Sequence, residues 1–425
     1  MEYIILVGKD DKVRPSFFKN IEFIKLKNIL GEETSLEKET YNAYLELQEY
    51  LAKKDISIGV LSAYQAHSEY QTGLAFDIVV LNNDEETKLQ MIHSVLHDFG
   101  FILRYPKNKE NITGFPYNPS HIRYVGRVPA RIIFENDLTL EEYLRNFSCV
   151  LAINKPQGIT SFDVVKEISH IYGIKRVGHT GTLDPMAEGV MLVAVGQATK
   201  IVELLTAHDK EYIAGVELGY QTDTYDNTGL VLHEKEVPKN ISIEQTLQSF
   251  QKTYLQEVPI YSAIKVKGKK LYEYARSGEE VVLPKKEVTI KEIELLKEKD
   301  DTFTFRALVT KGCYIRSLIN DIGLSLNTYA TMTRLIRTKQ GKISIEDTNT
   351  LEEVRDGKAK EYRIEEILDY PVIQVKEEES FILNGVKVPN KWMIKDKVIF
   401  KNRENKLLGI YEREEELLKV WKNFT

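Results

Sequence analysis

A loop bounded by glycines and a proline, followed at once by an unbroken apolar run, is the feature that most restricts how this chain can fold. It reads GHTGTLDPMAEGVMLVAVG over residues 178–196. Pro185 disfavours helical angles at the preceding Asp184, and the apolar run is typical of a buried strand. The sequence therefore predicts a buried strand entered from a shaped loop that carries one carboxylate. Taken alone, such an Asp is more often a turn-forming residue, although functional side chains also favour framed loops.

Length and composition limit the class of protein. At about 150 residues per domain, 425 residues predict two or three domains. The longest apolar runs fall short of the roughly 18 residues that a membrane span needs, so we expect no membrane association. The opening MEYIILVGKDDKV predicts a first strand instead of a signal peptide, and hence a cytoplasmic protein. Cys149 and Cys313 form no CxxC pair, which excludes zinc ribbons and disulfide scaffolds.

Charge is distributed unevenly along the chain. Residues 1–146 contain 17 basic and 22 acidic residues, whereas the remainder contains 41 basic and 42 acidic residues. The near-neutral remainder argues only weakly against nucleic-acid binding, because phosphate contacts need no more than a local basic face.

Three blocks follow from the pattern of apolar runs and turn signals, and together they predict an α+β multidomain protein. Residues 1–146 alternate strand-like and helical segments, residues 147–368 mix strands with capped helices, and residues 369–425 contain short strand-like runs separated by turns such as Asn384-Gly385.

Helices are predicted at several places from periodicity and capping. In SLEKETYNAYLELQEYLAKK the spacing places Tyr44, Leu45, Leu47 and Leu51 near one face. Thr139, with Glu142 three residues later, predicts the start of another helix.

A further strand–turn–helix is predicted in LAINKPQGITSFDVVKEISHIYG. Ser161 is the predicted N-cap, with Asp163 in the first turn and Gly173 at the end. The predicted apolar stripe consists of Val164, Val165, Ile168 and Ile171.

Five segments in this order carry a resemblance: NKPQGITS, GHTGTLDP, KEYIAGVELGYQTDTYDNTG, YSAIKVKGKKLYEYARSG and KGCYIRSLINDIG. Together they resemble the TruB-type tRNA pseudouridine synthases, which modify the uridine at tRNA position 55. The resemblance runs from about residue 149 to 345. It implies a mixed-sheet catalytic domain, a small β-rich PUA-like C-terminal domain, the tRNA T-arm as partner, and no cofactor. One departure is Val258 before Pro259, where the family usually has two prolines.

The resemblance also implies roles for individual residues. Asp184 is the carboxylate that meets the sugar–base junction, as a nucleophile or by assisting glycal formation. Arg316 would keep that carboxylate ionised, and Tyr212 would stack on the extruded base. Binding roles fall to His179, which enters the T-loop, and to Tyr314, Leu335 and Lys155; Lys155 has the alternative role of bracing the active-site loops.

Basic residues supply less specific candidates for phosphate contacts. They are Lys155, Lys265, Lys267, Lys269, Lys270, Arg334 and Arg337. The terminal block is expected either to hold the acceptor-stem side of tRNA or to serve as a packing module.

A second resemblance lies in residues 40–146. HSEYQTGLAFDIV and ILRYPKNKENITGFPYNPSHIRYVG resemble the VanY-type D-alanyl-D-alanine carboxypeptidases, which are zinc enzymes. The sequence keeps Asp77 and His121, but has Tyr70 in place of a zinc-binding His and Asn118 in place of the general-base Glu. A catalytic zinc needs about three protein ligands, and its water needs a base.

We therefore expect a metal-free, inactive N-terminal domain. Its possible roles are packing on the synthase, binding an unknown peptide or protein partner, or extending the tRNA contact, which its acidity makes least favourable.

Three functions follow from the sequence as hypotheses. The first is isomerisation of uridine-55 in tRNA. The second is a non-catalytic tRNA-binding or tRNA-folding module that uses the same cleft, and the third is a zinc carboxypeptidase acting through the N-terminal block. Asp184, Tyr212 and Arg316 favour the first, since a pure binder has no need of the carboxylate.

Overall fold

The computed structural model describes residues 21–63, 69–82 and 85–424. The strand predicted at the opening of the chain lies outside these ranges. Among the described residues, no helix has the length and apolar character needed to cross a bilayer.

The N-terminal part contains a hairpin, β1 and β2, and a four-stranded antiparallel sheet in the order β3-β4-β6-β5. Its elements are β1 (Phe23–Lys27), β2 (Glu33–Glu37), α1 (Lys38–Ala52), β3 (Ile58–Ser62), β4 (Ala75–Val80), α2 (Glu85–Val95), β5 (Phe101–Tyr105), α3 (Glu110–Thr113), β6 (Asn118–Tyr124), α4 (Arg127–Glu135) and α5 (Leu140–Asn146).

Two helix predictions in this part have different outcomes. In α1, Tyr44, Leu47 and Leu51 are buried, but the prediction for Leu45 is wrong because its side chain is 44% exposed. Leu45 is one residue, and hence about 100°, round the helix from Tyr44, which turns it away from the sheet. The prediction for α5 is confirmed: Thr139 and Glu142 form a reciprocal capping box.

The central part is built on a mixed ten-stranded sheet, whose main path is β13-β16-β17-β10-β18-β9-β7-β20. Its elements are β7 (Ser148–Lys155), α6 (Ser161–Tyr172), β8 (Val177–His179), β9 (Glu188–Gly196), α7 (Val202–Thr206), β10 (Lys210–Leu218), β11 (Tyr220–Thr222), β12 (Val231–Glu234), α8 (Ile243–Ser249), β13 (Thr253–Glu257), β14 (Lys265–Val266), β15 (Lys269–Lys270), α9 (Leu271–Ser277), β16 (Lys285–Lys299), β17 (Thr302–Val309), α10 (Ile315–Ser325), β18 (Ala330–Gln340), β19 (Ile343–Ser344), α11 (Leu351–Arg355), β20 (Glu361–Tyr362) and α12 (Ile364–Ile367).

The apolar run after Asp184 forms β9, which pairs in antiparallel fashion with β7 and in parallel fashion with β18. Its residues from Gly189 to Gly196 are all buried, as predicted for an interior strand.

One large core joins the central part to the end of the N-terminal part. Val128 and Ile132 of α4 and Tyr143 of α5 belong to the same buried cluster as Leu151 of β7 and Ile168 of α6. Tyr143 also donates a hydrogen bond to the Tyr172 carbonyl. The central sheet is therefore covered on this side by helices from the N-terminal part.

The C-terminal part is a five-stranded sheet in the order β21-β23-β24-β25-β22. Its elements are β21 (Val372–Gln374), α13 (Glu379–Leu383), β22 (Val388–Pro389), β23 (Lys397–Lys401), β24 (Leu407–Glu414) and β25 (Leu417–Asn423). The strand prediction is confirmed for VIQ, KVIFK and LLGIY. The Asn384-Gly385 turn, however, ends the short helix α13 instead of joining two strands.

Candidate active site

The loop before β9 holds Asp184 in a tight turn. The Asp184 carbonyl accepts a hydrogen bond from the Ala187 amide at 3.0 Å, with Pro185 at the second position that proline favours. Gly189 then enters β9 with φ +105°, and a Cβ atom there would overlap the carbonyl of Arg337. The conformation at Gly189 is one that glycine adopts readily and other residues rarely do.

A second element fixes this loop from the start of α6. The buried Ser161 hydroxyl donates to the Leu183 carbonyl at 3.0 Å and accepts from the Leu183 amide at 2.8 Å. The N-cap predicted at Ser161 is therefore wrong by one residue: Thr160 caps α6 and accepts from the Asp163 amide. Ser161 is instead drawn inwards by the backbone just before Asp184.

Lys155 lies behind the loop with its side chain fully buried. Its ammonium donates to the carbonyls of Pro156 at 2.9 Å, Ile159 at 2.7 Å and Pro185 at 3.4 Å. Burial lowers the pKa of Lys155 to about 8. The Lys155 ammonium thus holds the loop after β7 against the loop that carries Asp184. These contacts favour the bracing role of Lys155 over direct contact with RNA.

Asp184 and Arg316 meet side-on. Arg316 Nε lies 2.8 Å from Asp184 Oδ2, and Arg316 Nη2 donates to Asp184 Oδ1 at 3.2 Å. The Arg316 side chain is 6% exposed and that of Asp184 is 31% exposed, so the guanidinium forms the floor and the carboxylate faces the opening. Two parallel charge-assisted contacts orient the carboxylate as well as stabilising its charge.

The guanidinium is itself fixed by groups that the sequence did not indicate. Arg316, the second residue of α10, donates to the carbonyls of Thr224 at 2.9 Å and Tyr261 at 3.0 Å. The buried Asp226 carboxylate lies 4.0 Å from Arg316 Nε. Asp226 stands in the TDTYDNTG segment that carried the resemblance, and this segment was the available signal for its presence.

The Asp184 carboxylate lies in the wall of a cleft of about 570 Å³. Of the residues given individual roles, six line it: His179, Asp184, Tyr212, Tyr314, Arg316 and Leu335; Arg337, one of the predicted phosphate contacts, lies in its wall as well. These six come from five separate elements or loops, so the fold brings together nearly the whole predicted set.

Burial sets the protonation of the ring side chains in this cleft. It raises the pKa of Tyr212 and of Tyr314 above the ordinary tyrosine value, so both phenols are protonated near neutral pH. Burial, and secondly the charge of Arg337, lower the pKa of His179 below its ordinary value. The cleft thus presents neutral rings around one ion pair.

Arg337 corrects one prediction. It was expected to face phosphates, but its side chain is buried and its guanidinium donates to the carbonyls of Val190 at 2.5 Å and Gly181 at 3.3 Å. It therefore supports the loop from beneath. Arg334 is exposed and paired with Glu188 at 2.8 Å.

The KVKGKK segment forms a small hairpin, with Lys265 opposite Lys270. Lys269 pairs with Glu279 at 2.6 Å. The unusual Val258 lies nearby: its amide donates to the Pro284 carbonyl at 3.0 Å, a contact that the family's usual proline cannot make.

The N-terminal part contains a buried polar cluster where the VanY resemblance places zinc. His121 Nδ1 lies 2.8 Å from Asp77 Oδ1, and His121 Nε2 lies 3.4 Å from Glu69 Oε2. The Tyr70 hydroxyl donates to the other Asp77 oxygen at 2.7 Å. Both ring nitrogens of the His and both oxygens of the Asp thus face protein groups.

Arginines complete this cluster. Arg104 Nε donates to Glu69 at 3.0 Å, and the Arg104 guanidinium pairs with both oxygens of Glu141 at 2.6 and 3.1 Å. Arg123 also pairs with Glu69. Asn118, which stands in place of the general base, accepts from the Ser120 amide. These residues do not fit a catalytic zinc, which needs about three free ligands and a base.

Comparison with known proteins decides the family. Residues 169–315 match the family model described as TruB family pseudouridylate synthase, N-terminal domain, and residues 316–376 match that of the tRNA pseudouridylate synthase B C-terminal domain. A tRNA pseudouridine synthase B from Fusobacterium nucleatum is 46% identical over 275 residues, which cover 63% of this chain and 92% of the relative. The chain belongs to the TruB family. A TruB relative from Clostridium tetani is 42% identical and is 98% covered.

Two further likenesses concern the fold and the N-terminal part. The synthase fold resembles a chain in the crystal structure of a Cbf5–Nop10–Gar1 complex, with a TM-score of 0.50, 25% identity, and coverage of 67% of this chain and 87% of that one. Residues 48–127 match the family model described as D-alanyl-D-alanine carboxypeptidase. The chain is thus a TruB-family protein that carries a VanY-type domain at its N-terminal side.

Proposed function

We propose that this protein converts uridine-55 in the T-loop of tRNA to pseudouridine, with Asp184 as the catalytic carboxylate. The observation that carries the proposal is the Asp184 carboxylate, held side-on by the buried guanidinium of Arg316 at the floor of a ring-lined cleft. Family membership and the names of the TruB relatives support RNA, and specifically tRNA, as the substrate.

The reaction is an isomerisation. The C1′–N1 bond breaks, the uracil rotates, a C1′–C5 bond forms, and the proton lost from C5 is balanced by one gained at N1. Asp184 either attacks C1′, forming an ester that breaks when C5 bonds to C1′, or assists formation of a glycal, and Arg316 orients the carboxylate in both routes. No electron leaves the substrate, so the reaction itself has no need of a redox group.

The neighbouring side chains suit an extruded base. The Tyr212 ring provides a stacking surface worth about 1–3 kcal/mol, against an extrusion cost of a few kcal/mol. Tyr314, Leu335 and His179 also line the cleft. We propose that His179 enters the tRNA T-loop at the place that the extruded base leaves.

The experiment replaces Asp184 with Asn and measures pseudouridine at position 55 of a tRNA transcript together with tRNA binding. We expect no product above background and a dissociation constant close to that of the unmodified protein. Asp356→Asn, in an exposed pair with Lys358, is the matched control and should retain full activity. Full activity in Asp184→Asn would remove the carboxylate from the mechanism. A wild-type protein that binds tRNA without forming product would favour the non-catalytic tRNA-binding module.

We also propose that the chain divides into three domains, residues 1–146, 147–368 and 369–425. The third domain would hold the acceptor-stem side of tRNA. We expect the protein to be cytoplasmic. For residues 1–146 we propose a non-catalytic domain that packs on the synthase and binds a peptide or protein partner. The closed polar cluster around Asp77 and His121 supports this role. Release of terminal D-alanine with stoichiometric zinc would contradict it.

A further inference from the structure

Gln256 occupies a buried position at the edge of the central sheet. It lies in β13 and is 1% exposed. Its Oε1 accepts a hydrogen bond from the Tyr314 amide at 2.8 Å, and its Nε2 donates to the Tyr314 carbonyl at 3.2 Å. The same Nε2 donates to the Tyr254 hydroxyl at 2.8 Å. One side chain thus pairs with both backbone groups of a single residue, as a neighbouring strand would.

Tyr314, the partner of the Gln256 amide, lies at the start of α10. Tyr314 immediately precedes α10 and has extended backbone angles, with no hydrogen bond from its own side chain to cap the helix. Its ring lines the cleft, and Arg316 follows two residues later. The backbone conformation at Tyr314 therefore determines both where that ring lies and how the Arg316 side chain approaches Asp184.

We propose that Gln256 is a positioning residue for the synthase reaction: its amide fixes the first turn of α10, so that Tyr314 and Arg316 face the extruded uridine and Asp184. This inference rests on the proposed function. Gln256 touches neither Asp184 nor the opening of the cleft, and it acts through the backbone of Tyr314. Small displacements of such a segment lower the rate more than they weaken binding, because the reacting groups need precise alignment.

The chemistry of an amide makes the proposal testable. The site requires one acceptor, for the Tyr314 amide, and one donor, for the Tyr314 carbonyl. A protonated carboxyl group supplies both, whereas an ionised one supplies only acceptors and repels that carbonyl. Glu at position 256 therefore mimics the natural residue only when protonated, and burial favours that form.

Several ionisable groups surround this position on the elements packed against it. They are Tyr254, Glu257, Lys285, Lys286, Cys313, Tyr314 and Asp321. Burial raises the pKa of Asp321 to about 6, so it titrates in the same range. Because the wild type shares this titration, the ratio of variant to wild-type rate isolates the effect of position 256.

The experiment compares Gln256→Met and Gln256→Glu with the wild type in single-turnover pseudouridine formation from pH 5.5 to 8.5, together with tRNA binding. We expect Gln256→Met to be slower by about ten- to hundredfold at every pH, with binding within twofold, since both contacts are lost. Gln256→Glu should match Met at pH 8.5 and recover towards the wild-type rate as the pH falls. Gln251→Met, at an exposed glutamine near the start of β13, is the control and should keep the wild-type rate.

Each outcome has one meaning. A wild-type rate in Gln256→Met, or a rate of Gln256→Glu that stays at the level of Gln256→Met at every pH, would overturn the positioning role. Should the Met variant fail to fold, the rate ratio of the Glu variant at low and high pH decides alone. A wild-type protein that forms no pseudouridine would instead remove the proposed function, and this is read from the same assay before any variant is considered.

Discussion

At the scale of single residues, three side chains from separate segments of the chain meet in one cleft. Asp184, Tyr212 and Arg316 were predicted from motifs and now line one cleft. The prediction that Arg337 faces phosphates was wrong. A charged side chain on a strand can be buried when carbonyls from distant segments accept hydrogen bonds from it. Those carbonyls, from Val190 and Gly181, are invisible to local pattern. Gln256 was missed for the same reason, because its partners are the backbone groups of Tyr314, whereas Asp226 had a local signal in TDTYDNTG.

The side-on contact of Arg316 predicts a strict requirement for its planar group. In Arg316→Lys the charge stays, but one ammonium cannot bridge both Asp184 oxygens and two carbonyls. We expect pseudouridine formation to fall on the order of 100-fold, about 3 kcal/mol of activation free energy, with tRNA binding unchanged. Single-turnover kinetics measure this, with Arg355→Lys, in a pair with Glu167, as the control. A rate within threefold of the wild type would show that charge alone suffices.

Asp321 predicts a pH dependence of stability. Burial raises its pKa in the folded state to about 6 from an ordinary 3.8. The folded state then binds more protons than the unfolded state between these values, so the contribution is present below pH 3.8 and is lost as the pH rises through about 6. We expect Asp321→Asn to lessen this fall by on the order of 1 kcal/mol, since the group is partly exposed. Urea unfolding at pH 4.5 and 7 measures it, and identical pH profiles of variant and wild type would contradict it.

At the scale of elements, the capping residues predicted the start of α5 correctly but the start of α6 one residue too late. Thr160 and Ser161 are both good N-cap residues, and local sequence could not choose between them. The choice comes from the loop that carries Asp184: its Leu183 backbone contacts the Ser161 hydroxyl, so Thr160 caps α6. The start of α6 is thereby tied to the position of Asp184.

This division of labour predicts opposite results for two neighbouring substitutions. Thr160→Ala should destabilise the fold by about 1 kcal/mol through loss of the cap and should change the rate little. Ser161→Ala should slow pseudouridine formation by about tenfold, since the Leu183 backbone loses both contacts. Thermal unfolding and single-turnover rates on both variants test the pair. Equal effects of the two substitutions on the rate would show that the Ser161 contacts with Leu183 and the Thr160 cap do not have separate roles.

At the scale of the whole molecule, the sequence predicts three blocks but does not predict how they are connected. The buried cluster that joins α4 and α5 to β7 and α6 depends on which faces meet, and composition does not encode this. Arg104 adds a polar link, because it joins Glu69 in the VanY-type domain to Glu141 in α5. The polar cluster around Asp77 and His121 is thus tied to α5, whose Tyr143 packs in the core shared with the synthase.

Removal of that link should be costly. Arg104→Met leaves Glu141 without its partner and Glu69 with less compensation, and loss of one member of a buried pair typically costs about 3–5 kcal/mol. The control, Arg127→Met, removes an exposed pair with Glu46 and should cost under about 1 kcal/mol. Urea unfolding compares them. Equal stability of the two variants would mean that the buried link contributes nothing to the fold.

The core shared by α4, α5 and the central sheet also has a consequence for synthesis on the ribosome. The apolar face of α4 is complete at Glu135, but helix α6, which packs against it, is not translated until Tyr172. At a translation rate of about 5–20 residues per second, this face of α4 stays uncovered for several seconds. During that interval the nascent chain exposes an apolar surface that favours aggregation. Slow translation, or chaperones that bind nascent chains, should therefore affect the yield of the protein more than the activity of the finished enzyme.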